Sequence, residues 1–435
     1  MVLHVIIKNF GRVKEADISL NNLVVFVGNN NSGKTMVMQL IYGIREALEH
    51  FPVPVSKAKK SDLNGQYLIR CDQDWFKEAE SRINVYLEEN KSRILTEIFG
   101  TPISAEEIKI ALEYGRTEYF VTSISEYQNR DSKEIRTEIH IETRQYDNDK
   151  DSKPVRRRIF NWNDSDDAAE EAIKDVWRII LSGQPTLNSG QLFLPASRSG
   201  LQLLYRHYFA RESGGSLTVP IKDFLRFLQL YSQDNQLDES RTALLEFGEE
   251  HLLQGKVIQN GDETFYVEAQ GEKAVPLYIA SSMIHELTPF VKALSAARKI
   301  DWLYCDEVEN SLHPLLQGEM ARWLIRMANA GMHVIISSHS DTMASRFNNL
   351  FMLSRWDRRN ADYKMLSELE LMDADLLRPD VKAAVYEFHS GKDGKTSIEK
   401  LEFIDYPMMG YDFQLFSKNL DKLYDEAERI TRQPQ

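Results

Sequence analysis

Cysteine is nearly absent: a chain of 435 residues carries two, Cys71 and Cys305, far apart. That spacing excludes a disulfide framework and a clustered zinc site, and it suits a reducing, cytoplasmic setting. Long apolar runs are missing as well. No stretch reaches the ~18 residues that span a bilayer, so neither a membrane segment nor a membrane association is expected. The opening MVLHVIIKNF has no basic stretch or small-residue cleavage site, and no secretory leader is expected from it. Positive charge is in deficit. Lysine and arginine number 53 against 66 acids, a formal net charge of -13. This argues against a dedicated nucleic-acid coat, although a local basic groove stays open. No repeat of solenoid length is visible. What is present is a hydrophobic content of 42%, enough for a well-cored globular chain. Its length favours two lobes, or one large domain with an insertion.

Apolar alternation predicts short strands over Val2–Ile7, Glu15–Leu20 and Leu23–Val27. Val37, Leu40, Ile41, Ile44 and Leu48 recur at helical spacing, which predicts a helix from Gly33 to about Phe51. Pro52-Val53-Pro54 breaks that register. Beyond it we expect helices over Gln73–Phe99 and Ala105–Tyr114, and a hairpin of Thr117–Tyr127 with Glu134–Tyr146. The polar YDNDKDSKPVRRR reads as a mobile tip. A further helix is expected over Asp166–Leu181, with Ser165 as its N-cap. Gln191–Pro195 reads as a buried strand, Val219–Leu230 and Arg241–Leu253 as helices, and the stretch from Gly255 to Ala280 as two or three strands. After Ser281 the order is helix, strand (Trp302–Cys305), helix, strand (His333–Ser337), helix, strand (Leu350–Leu353), with a tail helix over Phe413–Ile430. Such alternation predicts a parallel sheet with helical crossovers. The expected fold is therefore α/β, a head built from residues 1–51 and 190–435. Residues 52–189 would be an α+β insertion, a candidate partner or sensor region.

At the junction of the third strand and the first long helix stands Gly28-Asn29-Asn30-Asn31-Ser32-Gly33-Lys34-Thr35. It satisfies G-x-x-x-x-G-K-[ST] at every fixed position, with a strand before and a helix after. Glycines let the backbone turn back and aim N–H groups at phosphate oxygens, and the helix adds its positive end. The asparagines tolerate left-handed backbone and add no bulk. Lys34 is the cation for the β- and γ-phosphates. The Thr35 hydroxyl is a candidate Mg²⁺ ligand.

The apolar Trp302–Cys305 ends in Asp306-Glu307, a place where α/β sheets bind ligands. Paired with the phosphate loop, Asp306 reads as the second Mg²⁺ partner and Glu307 as the general base for an attacking water. A third strand ends in Ser338-His339-Ser340, where His339 would reach the γ-phosphate. ATP and Mg²⁺ are the cofactors this set implies.

Together these motifs resemble the ABC-type ATPase superfamily, in particular its soluble SMC-like and OLD-like branch. IKNFGRVKEADISLNNLVVFVGNNNSGKT resembles that branch's start, LYCDEVENSLHP its Walker B and D-loop, and VIISSHS its switch-histidine strand. YIASSMIHELTPFVKAL sits where the family carries its signature motif. The resemblance implies an ABC-type P-loop head with N-terminal antiparallel strands, a mixed or parallel core sheet and flanking helices. It also implies a head dimer, or a higher oligomer, with ATP between the heads. Ser282 of one head would contact the nucleotide held by the other. Met283 departs from the family's usual glycine after that serine, which restricts the backbone there. FLPASRSGLQLLYR resembles the stretch following the insertion in defence-associated members; its Arg198 would face nucleotide, insertion or solvent.

No acidic cluster of Toprim kind follows His339, no HNH-like Cys/His set appears, and the insertion is too short for a long coiled coil. This resembles stand-alone ATPase subunits of anti-phage systems, which work beside a separately encoded effector. Two alternatives stay open at this stage. One is a DNA-clamping or repair head acting through a nucleic-acid partner, supported by the basic run Lys153–Arg158. The other is a transporter's nucleotide-binding subunit, against which the altered signature argues.

Overall fold

The computed structural model describes residues 2–49, 51, 59–63, 66–114, 117–128, 135–145, 156–159, 165–182, 190–210, 217–261, 263–271, 273–360, 363–405 and 410–431. Val2–Phe10 and Val13–Leu20 pair as an antiparallel hairpin (β1, β2), and the wholly buried Leu23–Gly28 forms β3. Helix α1 (Lys34–Glu49) follows, with Val37, Leu40, Ile41, Ile44 and Leu48 fully buried at helical spacing. The middle of the chain holds β4 (Lys59–Leu63), β5 (Gln66–Cys71), α2 (Gln73–Phe99), β6 (Glu107–Glu113), β7 (Thr117–Gln128), β8 (Ile135–Gln145), β9 (Arg156–Ile159) and α3 (Ser165–Ser182). Then come β10 (Gly190–Leu194), α4 (Arg198–Ala210), α5 (Val219–Leu230) and α6 (Glu239–Phe247), which widens into a π-helical turn over Gly248–Leu253. A small sheet of β11 (Gly255–Asn260), β12 (Glu263–Glu268) and β13 (Ala274–Pro276) precedes α7 (Ser282–Ser295). The rest runs β14 (Ile300–Cys305), α8 (Pro314–Asn329), β15 (His333–Ser338), α9 (Asp341–Asn360), α10 (Tyr363–Glu368), β16 (Ala383–Ser390), β17 (Thr396–Leu401) and α11 (Gln414–Thr431).

The main sheet has the order β10-β14-β15-β3-β16-β17-β2-β1-β6. From β10 to β16 neighbouring strands are parallel. Their near-continuous apolar sequences are what burial on both faces requires. In β3, Val24 and Phe26 enter one core while Leu23, Val25 and Val27 enter the other, the two-residue period of a strand covered on both sides. β16 with β17, β2 with β1, and β1 with β6 are antiparallel. Antiparallel N-terminal strands beside a parallel core, with helices on both faces, make this the α/β head expected from the sequence.

Two local expectations are corrected. The helix expected over Ala105–Tyr114 is strand β6, which pairs antiparallel with β1 through Val5↔Ile110. Its Ala, Glu and Leu residues favour a helix, but Ile108, Ile110 and Leu112 alternate inward and β1 offers an open edge, so pairing overrides propensity. The strand expected over Leu350–Leu353 lies inside α9. Met343, Phe347, Leu350 and Phe351 are buried at helical spacing there, and the further parallel strand is β16. Residues 146–155 of the expected polar tip, including Lys153, lie outside the described residues, and Arg156–Arg158 fall in β9.

Residues 52–189 are partly built into the head. Residues of α2, β6 and α3 share one hydrophobic core with β1, β3 and α1. Trp177 Nε1 donates to the Leu48 carbonyl at 2.9 Å, tying α3 to α1. A five-stranded sheet, β4-β5-β7-β8-β9, completes this region.

Helix α8 is anchored by a cluster of Asp375, Arg322 and Arg326. Asp375 accepts from Arg322 Nη2 at 2.9 Å and Arg326 Nε at 2.7 Å. Cys71 and Cys305 are buried and free, their thiols pushed up by burial. Among the described residues, no helix is long and apolar enough to cross a membrane.

Candidate functional site

Parallel pairing sets where the chemistry falls. β3, β14 and β15 run side by side, with Ser338 opposite Val27 and Ile336 opposite Cys305. The residues leaving their C-terminal ends therefore share one sheet edge, the edge at which α/β folds bind ligands. They are the phosphate loop, Asp306-Glu307 and His339.

The loop needs its glycines. Gly28 has φ 150°, and a Cβ there would lie 2.8 Å from both the Cβ and the carbonyl oxygen of Phe388 on β16. Gly33 has φ 96° and Asn31 φ 59°, both in the left-handed region. Asn29, Asn30 and Asn31 are exposed, Ser32 is fully buried, and Thr35 is exposed in the first turn of α1. Arg12, in the β1–β2 turn, braces the loop by donating to the Asn31 carbonyl at 3.4 Å.

Lys34 is buried, and its Nζ donates to the carbonyls of Gly28 and Asn29, each at 2.9 Å, and to Ser32 Oγ at 3.3 Å. Burial lowers its pKa to about 8, against the opposing pull of Asp306, Glu309 and Glu307. Across the strands, Thr35 Oγ1 donates to Asp306 Oδ2 at 2.8 Å. The other Asp306 oxygen accepts from Ser337 Oγ at 2.5 Å. Burial raises the Asp306 pKa, while the Ser337 and Thr35 hydroxyls act against that rise.

Glu307 carries an unusual backbone for a non-glycine residue, φ 48°. Its N–H donates to Ser337 Oγ at 2.9 Å, and its carboxylate accepts from Asn310 Nδ2 at 3.1 Å. His339 Nδ1 lies 2.7 Å from the Gly28 carbonyl oxygen. Lys34 Nζ lies 3.2 Å from the same Nδ1, and Nε2 faces Glu307 Oε1 at 3.5 Å. The His339 N–H is held by the Glu309 carboxylate. Walker-type loop, acidic pair and histidine thus meet within one hydrogen-bonded group. This group suits a polyphosphate. It offers turned backbone N–H groups, a helix N-terminus, one buried lysine, and hard oxygen donors from Thr35 and Asp306.

A sequence profile described as "AAA domain, putative AbiEii toxin, Type IV TA system" matches residues 23–345. The chain belongs to this AAA-domain family. Among solved structures, this AAA-domain chain is similar to an SMC head domain from Thermotoga maritima. Identity is 10%, coverage is 92% of this chain and 99% of that one, and the TM-score is 0.36. It is also similar to an Smc head with an extended coiled coil bound to the C-terminal domain of ScpA, derived from Pyrococcus furiosus. There identity is 10%, coverage 99% of both chains, and the TM-score 0.37. No curated protein sequence matches. The matched span takes in the phosphate loop, the acidic pair and His339, and the protein is of the AAA ATPase type.

In this AAA-domain chain Ser282 stands apart. It is exposed at the first position of α7 and shares no hydrogen bond with the group above. One member of the group, Ser337, is not singled out by the sequence motifs. Ser337 binds both members of the acidic pair, Asp306 by its proton and the Glu307 N–H by its lone pair. The doubled serine of VIISSHS was the available signal. Arg198, one of whose expected settings was solvent, is 1% exposed. It sits behind the Asp306–Glu307 turn.

Proposed function

We propose that this chain binds ATP at the shared strand edge, hydrolyses it, and uses the cycle as a switch. The observation that carries the reading is the Thr35–Asp306 hydrogen bond, 2.8 Å long, which closes the phosphate loop onto the acidic strand end. Lys34 would neutralise the β- and γ-phosphates, and Glu307 would accept the proton of the attacking water. His339 would orient that water or the γ-phosphate. Thr35 and Asp306 would hold Mg²⁺, which when bound supplies positive charge to the phosphate oxygens.

Two heads would close on each other, with Ser282 at a free helix N-terminus completing the partner's site. Residues 52–189, with their five-stranded sheet, would serve as the partner or sensor region, and a separate effector would read the state of the head. The toxin wording of the family description supports a place in anti-phage defence. Two buried free thiols are compatible with a cytoplasmic setting.

A mixing experiment tests the composite site. Ser282→Arg is expected to leave one ATP bound per head but to block the closed assembly, because an arginine opposes the positive helix end and fills the partner's phosphate space. Mixed with Lys34→Ala, each heterodimer carries one site with both defects and one with neither. Part of the lost hydrolysis should return. No recovery at any mixing ratio, with heterodimers shown to form, would refute Ser282 as the composite residue. Full activity of Ser282→Arg alone would mean that each head works singly.

A further inference from the structure

Arg198 has no role in the reading above, yet it is one of the largest fully buried side chains. Its two terminal nitrogens donate to main-chain oxygens, chiefly those of the Asp306–Glu307 turn. Nη1 donates to the Asp306 carbonyl at 2.9 Å and to the Pro195 carbonyl at 3.4 Å. The Glu307 carbonyl accepts from Nη1 at 3.4 Å and Nη2 at 3.3 Å. On its other side, Nε pairs with Glu286 Oε2 at 2.6 Å. Both carboxylate and guanidinium are removed from water, with side chains 4% and 1% exposed.

The turn needs such a holder. Glu307 sits at φ 48°, a backbone state that a non-glycine residue keeps only when its neighbours over-determine it. The two peptide groups that flank its Cα are both held, the N–H by Ser337 of β15 and the carbonyl by Arg198 of α4. Glu286, the third member, lies four residues after Ser282 on α7, so the two share one helix face.

We infer that Arg198 and Glu286 are a positioning pair, holding the Asp306–Glu307 turn in its working shape and hanging it on the helix that begins with Ser282. The inference rests on the ATPase reading above. Whatever seats the N-terminus of α7 then acts on Glu307 of the same subunit through two side chains. Neither residue of the pair touches the reacting atoms, so the effect falls on rate rather than on nucleotide binding.

The test uses the full-length chain with Arg198→Met and Glu286→Leu combined, which removes both buried charges together and leaves neither orphaned. Affinity for a fluorescent non-hydrolysable ATP analogue should stay within about threefold. The hydrolysis rate should fall roughly 100-fold, the scale for a misplaced catalytic group. Because the pair acts through Glu307, adding it to Glu307→Gln should cost nothing further. Arg198→Lys keeps the charge against Glu286 but cannot fork to both carbonyls. It should lose rate with affinity kept, and it decides the matter if the double variant does not fold. A folded variant at parental rate overturns the inference alone. So does a loss of ATP affinity in step with rate, or a loss that multiplies on top of Glu307→Gln. An inert parent, or Glu307→Gln at parental rate, overturns the ATPase reading and the inference with it.

Discussion

Lys34→Ala is expected to leave a folded chain with no measurable ATP hydrolysis and with nucleotide affinity lowered by roughly 100-fold, the scale of losing a charge-assisted contact to phosphate. Lys34 holds the carbonyls of Gly28 and Asn29 and reaches Ser32, so its cation sits inside the loop's curve. Asp306, Glu309 and Glu307 stand close enough to act on its pKa. Without the lysine those acids face a polyphosphate unopposed, and repulsion adds to the lost contact. A second readout follows from the pKa of about 8 that burial gives this lysine. In nucleotide-free protein the cation is complete well below that pH and fades above it. Phosphate beside Nζ favours the charged form, so binding above that range takes up a proton. Affinity should then fall as pH rises, by at most ~10-fold per unit. Titrations of a fluorescent analogue across this range should show the slope in the parent and lose it in Lys34→Ala. Unchanged affinity together with unchanged hydrolysis in a folded variant would refute the phosphate-loop assignment.

The parts of this site that could be read from the sequence are those whose chemistry is local in the chain. Gly28 and Gly33 are demanded by positive φ within one loop, and their spacing to Lys34 and Thr35 is written in consecutive residues. Asp306 and His339 follow apolar strands, and parallel pairing carries both to one edge. What could not be read depends on distant partners. Arg198 finds Glu286 at a separation of 88 residues, and it spends its other donors on carbonyls that carry no side-chain signature. Strand β6 has helix-favouring composition, and only the open edge of β1 decides its state. The β16–β17 hairpin, missed as a pair, had a local signal in Gly391-Lys392-Asp393-Gly394; Gly394 takes φ 76° in the turn.

Glu307→Gln should keep ATP bound while slowing hydrolysis at least ~100-fold, the usual scale for removing a general base. The substitution is close to isosteric, so the surroundings can be maintained. The amide oxygen still accepts from Asn310 Nδ2, and the backbone contacts to Ser337 and Arg198 do not involve the side chain. Lys34, Thr35 and Asp306 remain in place, and with them the contacts for the phosphates. What is lost is a carboxylate able to take a proton. Its neighbour His339 does not substitute, because Nδ1 sits between the Gly28 carbonyl and Lys34 Nζ and Nε2 points at position 307 itself. Such a variant should accumulate in the ATP-bound state, and if two heads close over ATP it should sediment with greater mass in ATP than without it. Lost hydrolysis with no change in mass would keep Glu307 as the base and remove the head dimer. Full hydrolysis would remove the base itself, and with it the reason for holding this turn in a left-handed backbone.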